Sequence, residues 1–327
     1  MHQATLSPER SARIHRETVR EPAPGLGAWD NWHICEVDAE ARGMIKTANA
    51  QSPQESQTTM KRLLITIDGS ANDYTSLMSA MQLTRRLGAE LSVVFTALPA
   101  EAFYGYAETT APVVFDNTEE AKVAQERARA AFETACGEWP GATLSTTEEY
   151  SADVIARLGP LSDLVIMERL SSEEGPSAAG FNAAVFDGAG PVFITAPEPK
   201  ATIATNPVIA WNGSREAALA VKSAVPLLQL AGRATVLAGS DRSADSLAAL
   251  KMYLQSYGVA ITVEEFTADQ MTARGRARAL LKTAEELSAD LLVMGAYGEN
   301  AIGALFGLGR ATRKIVTAAR MPVLLHH

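Results

Sequence analysis

The sequence predicts an α/β protein of two tandem, doubly wound parallel sheets behind a poorly ordered N-terminal extension. Two observations carry this. From Lys61 onward, short apolar runs of buried-strand type alternate with segments of helical length, the pattern of a parallel sheet covered by helices on both faces. Three landmarks of the first half also return in the second half in the same order, the mark of an internal repeat.

Residues 1–60 form the extension. They are polar and irregular, with Pro22, Pro24, Gly25 and Gly27 clustered and a Gln/Ser/Thr run from Gln51 to Thr59. Such a stretch buries too little apolar surface to offset its ordering entropy; Trp29 and Trp32 are its candidate anchors. A further expectation is that Met60, directly before the first strand, is the native start.

The first domain is expected over residues 61–196. Leu63 to Ile67 reads as a buried strand ended by Asp68-Gly69-Ser70. A helix follows from Tyr74 to Leu87 and stops at Gly88, and Leu91 to Phe95 is the next strand. Glu119 to Ala135 is a helix with small residues at Ala121, Ala124, Ala128 and Ala131 on one face. Asp163 to Met167 and Gly190 to Ile194 supply further strands, and Ala196 to Thr205, with two prolines and no apolar run, reads as a linker. The second domain, residues 206–327, repeats the scheme. Asp68-Gly69-Ser70 returns as Asn212-Gly213-Ser214 at an offset of 144 residues. Ser162 to Met167 returns as Ala289 to Met294, and Gly190-Pro191-Val192 as Met321-Pro322-Val323.

Composition narrows the function. The chain has 327 residues with 47% hydrophobic and 20% charged residues, ample for a real core. A net charge of −9 removes the electrostatic drive toward nucleic acid or an anionic membrane surface. The two cysteines, Cys35 and Cys136, make neither a disulfide scaffold nor a CxxC metal site. All five histidines lie near the ends of the chain, so a Ser-His-Asp triad or histidine zinc site has little to be built from. No run reaches the ~18 apolar residues of a membrane span, and no targeting segment is recognisable. A cytoplasmic protein is expected.

The ordered motifs make the pair of halves resemble a tandem universal stress protein, of the adenine-nucleotide-binding α/β group. The resemblance rests on Ile67-Asp68-Gly69-Ser70, on Trp211-Asn212-Gly213-Ser214 and on the closing run from Asp290 to Leu325. It implies a five-stranded sheet in each half, with the last strands pairing so that the halves form an internal pseudo-dimer; a further homodimer is an additional expectation.

The second half carries the candidate nucleotide site. Gly295 and Gly298 follow a buried strand at the carboxyl edge where open α/β sheets hold ligands, and lack the Cβ atoms that would keep an anion from the main chain. Gly309, Arg310, Ala311 and Thr312 then open a helix whose N-terminal end favours phosphate. Asn212, Gly213 and Ser214 at the first-strand corner, with Met294 and Tyr297, complete the set expected to hold ATP, with magnesium as its companion. The family's motif has a step of ten to its third glycine followed by a small residue; here the step from Gly298 to Gly309 is eleven, Arg310 follows, and Asn212 stands where the family has an acid. Arg310 either clamps a phosphate or fills its place, and the bland alternative is that the glycines only make a tight strand-to-helix crossing. In the first half, Glu168-Arg169-Leu170-Ser171 replaces the glycine pair, with Glu173 and Glu174 close behind, so triphosphate binding there is not expected. A different small ligand near Asp68 stays open beside the reading of Asp68 as a turn residue.

Three function classes follow. The first is a non-catalytic stress-response protein that binds adenine nucleotide in its second half and acts on an unknown protein partner or on assembly. The second is a nucleotide-free interaction scaffold. The third is a weak ATPase or autophosphorylating protein, for which Thr312, Ser214 and Arg310 lie within reach of a phosphate but no general base or metal carboxylate is apparent. Asp290, matched by Asp163, reads as a strand-opening residue and not a metal ligand. No GxxxxGK[ST] loop occurs.

Overall fold

The computed structural model describes residues 60–97, 118–137, 139–170, 176–239, 244–266, 273–296 and 310–327. The extension before Met60, with Trp29 and Trp32, lies outside the described residues. Residues 57–327 form one compact unit. Its first half runs β1 (Arg62–Ile67), α1 (Asp73–Leu87), β2 (Glu90–Thr96), α2 (Thr118–Cys136), β3 (Ala142–Thr147), α3 (Ser151–Leu158), β4 (Leu164–Met167), α4 (Pro176–Phe186) and β5 (Val192–Ile194). Its second half runs β6 (Pro207–Trp211), α5 (Arg215–Ala231), β7 (Arg233–Gly239), α6 (Ala244–Ser256), β8 (Ala260–Phe266), α7 (Ala273–Glu286), β9 (Leu291–Gly295), α8 (Arg310–Ala318) and β10 (Val323–His326).

The strands make one ten-stranded sheet in the order β3-β2-β1-β4-β5-β10-β9-β6-β7-β8. Every pairing within a half is parallel, and β5 pairs antiparallel with β10, with Phe193 opposite Leu324. Each half therefore repeats one strand order. Its first and fourth strands lie side by side at the point where the order reverses, β1 beside β4 and β6 beside β9. The antiparallel join directs the carboxyl ends of the two halves to opposite rims of the sheet.

Burial on both faces explains the continuous apolar runs of β1, β4, β6 and β9. One core layer gathers Leu63, Ile65, Phe193, Ile209, Val293 and Leu324 from both halves, and the opposite layer gathers Leu64, Val165, Val192, Val208, Leu292 and Leu325. Ala128 of α2 is buried, and Ala124 and Ala131 pack partly buried against the same layer, so the small-residue face does turn inward. Gly88 closes α1 at φ 63° in the left-handed region.

The linker is better packed than its composition suggested. Ile203 and Ala204 are buried. Gln82 Nε2 donates to the Ala201 carbonyl at 2.8 Å and Arg86 Nη2 to the Ala204 carbonyl at 3.1 Å. The lone Ile203 gives no apolar run, so the sequence pattern did not mark it. No helix among the described residues is long and apolar enough to cross a membrane.

Candidate functional site

The two strand-to-helix corners are built alike. Asp68 Oδ1 accepts from the Ser70 amide and Asn212 Oδ1 from the Ser214 amide, each at 3.0 Å. Gly69 and Gly213 take φ values of 84° and 70°, which favour glycine. Ser214 caps α5, its hydroxyl accepting from the Ala217 amide at 3.2 Å. Ser70 instead makes a local turn: its Oγ accepts from the Asn72 amide and donates to Asp73 Oδ1, both at 3.3 Å. Asn212 thus uses its side-chain oxygen to shape its own turn.

In the second half, β9 brings Met294 and Gly295 beside the end of β6, with Met294 opposite Ala210. Met294 is buried in the core layer. Gly295 lies against the first turn of α5: a Cβ there would stand 2.5 Å from the Ala217 amide nitrogen and 2.6 Å from the Glu216 carbonyl carbon. Glycine is required at this position by helix packing. The same approach brings in a residue that sequence reasoning missed. Glu216 is buried, and its Oε2 has no hydrogen-bond partner among the described residues. An acid in a first helical turn looks like routine favourable placement in the helix field; only the backbone approach of Gly295 reveals that this one is enclosed. Thr312 is buried in the first turn of α8, which opens at Arg310 and Ala311. Tyr297, Gly298 and Gly309 lie outside the described residues. The structure therefore joins Asn212, Gly213, Ser214, Met294 and Gly295 at one sheet edge.

In the first half the corresponding edge opens into a cavity of about 520 Å³. The carboxyl ends of β1 and β4, the first turns of α1 and α3, and α4 line it. Ile67, Met167 and Leu170 supply apolar wall, while Asp68, Asp73 and Glu168 bring carboxylates. Thr66 Oγ1 and Ser151 Oγ are hydrogen-bonded at 2.7 Å. Asp73 Oδ2 accepts from the Gly69 amide at 2.8 Å. Burial, reinforced by the nearby Asp68 charge, pushes the Asp73 carboxyl up to about 7. Burial and then Asp68 also raise Glu168, opposed by a hydrogen bond with Asn72. Glu168 occupies the position of Gly295 in the repeat, and Asn72 that of Glu216. Each half thus holds a carboxylate at this junction, supplied by the strand in one and by the helix in the other.

The first half also reaches the second. Arg169 Nη1 donates to the Thr317 carbonyl, in the last turn of α8, at 2.8 Å. Across the same join, His327 packs edge-on against Phe186 at 5.1 Å and contacts the Ala296 carbonyl through Nδ1 at 3.2 Å.

Comparison with known proteins bears on the half that holds Gly295. Residues 208–327 match the Universal stress protein family. That stretch is a universal stress protein domain. The fold likeness extends further. A functionally unknown protein from Pseudomonas aeruginosa PAO1 aligns over 82% of this chain and 92% of its own, at 14% identity and a TM-score of 0.51. A provisionally assigned universal stress protein from Pseudomonas aeruginosa UCBPP-PA14 aligns over 82% of this chain and 93% of its own, also at 14% identity and a TM-score of 0.51. A universal stress protein solved in complex with cAMP covers 43% of this chain and 100% of its own, at 15% identity and a TM-score of 0.29. No curated protein matches the chain.

Proposed function

We propose that this chain is a cytoplasmic stress-response protein of two tandem universal-stress-type domains. In this reading the second domain binds adenine nucleotide, and the protein acts through a partner or through its assembly without catalysing a reaction. The observation that carries it is the family match over residues 208–327, which covers the β6–β9 switch point, the place where open α/β sheets take ligands. Glu216 adds an orientation. Its buried carboxylate repels a phosphate and accepts from a donor, so the base or sugar end belongs near Glu216. The phosphates, with any magnesium they carry, belong toward the start of α8, whose N-terminal end favours negative charge.

Calorimetric titration with ATP, with and without magnesium, tests this. Saturable heat from one site per chain is expected, and absence of heat up to millimolar nucleotide overturns it. Gly298→Glu is expected to abolish that heat while leaving the circular dichroism spectrum unchanged. A second reading, a nucleotide-free scaffold, draws support from Gly295, whose missing Cβ is already accounted for by contact with α5. Mass analysis of what copurifies with the protein separates the two, since a scaffold releases no adenine nucleotide on denaturation.

A further inference from the structure

The first-half cavity has a chemistry of its own. At about 520 Å³ it falls within the range of small-molecule sites, roughly 300–1,000 Å³. Among the described residues that line it, five are acidic and none is Lys or Arg. One of the five, Glu149, is already paired with Arg157 at 2.7 Å. Asp68 and Glu168, just past the ends of β1 and β4, line the cavity with Asp73 of α1, while Ile67, Met167 and Leu170 offer an apolar wall.

We propose that this cavity binds a small organic cation, a protonated amine carried on an apolar body, and excludes nucleotides and other anions. The apolar wall holds the body and the carboxylates hold the charge. Crowding supports the assignment: burial first, and then the Asp68 charge, raises both Asp73 and Glu168, and an incoming positive charge offsets that repulsion. A bare metal ion fits less well, because no group of three or more His, Cys, Asp or Glu side chains among the described residues is arranged to hold one. Selectivity follows from the same walls. A neutral analogue keeps the apolar contact but leaves the carboxylates crowded, and an acid adds repulsion.

Titration of the full chain at pH 8 with a matched series tests the proposal: tryptamine, its alcohol tryptophol, and indole-3-acetate share one body and differ in charge. Tryptamine is expected to bind at least tenfold more tightly than tryptophol, with no binding of the acid. Asp68→Asn and Glu168→Gln are each expected to weaken tryptamine at least fivefold, while Glu119→Gln, on the exposed face of α2, leaves it unchanged. Asp68→Asn recreates the Asn212 turn of the other half, so the fold is retained, and an unshifted melting curve checks this. Equal affinity across the series, the reverse order, no heat from any member at 10 mM, or amine binding indifferent to both variants overturns the assignment. ATP heat is read separately on the same variants. Its absence counts against the second-half nucleotide reading alone, and its loss in Asp68→Asn or Glu168→Gln moves the nucleotide into this cavity and overturns the amine.

Discussion

Asp73 sits almost wholly buried in the first turn of α1, near Asp68 and Glu168, which follow the ends of β1 and β4. Its folded-state value of about 7 lies above the ordinary 3.8, so the folded chain keeps a proton that the unfolded chain loses near pH 4. Stability from this residue is full below that value, falls as pH climbs toward 7, and is flat above; the upper bound is about 4 kcal/mol. Asp73→Asn is expected to flatten the decline between pH 5 and pH 8 in urea unfolding. Gly295 makes the second prediction at this scale. Gly295→Ala drives a methyl into the backbone of α5 and is expected to cost about 1–3 kcal/mol in the same assay, the usual range for overpacking.

At the scale of elements, paired aspartates start the repeated strands. Asp163 Oδ2 accepts from the amides of Lys61 and Arg62 at 2.7 and 2.9 Å. Asp290 accepts from the Thr205 amide at 2.9 Å and the Asn206 amide at 2.8 Å, and from the Thr205 hydroxyl. Burial works to raise the Asp290 carboxyl, but these hydrogen bonds outweigh it and hold it below the usual range. Asp290→Ala is expected to lose about 1–3 kcal/mol at neutral pH, the cost of leaving buried donors unpaired. Its depressed folded value places its contribution above the unfolded carboxylate range, so the difference from wild type shrinks as acid protonates Asp290; urea midpoints at pH 7 and pH 3 check this. The strand-opening role was readable because the two aspartates precede matching apolar runs. The central strands were readable for the same reason, since burial on both faces leaves an uninterrupted apolar signature. The edge strands β3 and β8 were not: Thr143, Ser145 and Thr146, and Thr262 to Glu265, are exposed, and their few apolar residues form no uninterrupted run. The first-half site was half readable. Asp68 and Glu168 were both visible in the sequence, and Glu168 in place of a glycine argued against triphosphate, but the open space between them depends on how α3 and α4 stand off the sheet, which no local pattern encodes.

For the whole molecule, the join between β5 and β10 protects two strand edges that a separated half exposes. Residues 206–327 expressed alone leave β10 without its antiparallel neighbour, and an unpaired apolar edge templates association. That fragment is expected to sediment as a homodimer or larger species at micromolar concentration; a stable monomer shows that the join adds little. The Arg169 bond to the end of α8 and the Phe186–His327 contact tie the halves on either side of the same seam.

Because the strands reverse direction at that seam, the acidic chamber and the Gly295 corner open at opposite poles of one slab. A partner that covered one rim would leave the other open to solvent. Were both proposed ligands to bind, two small molecules of opposite charge would sit at opposite rims of one sheet, with the packed interior between them.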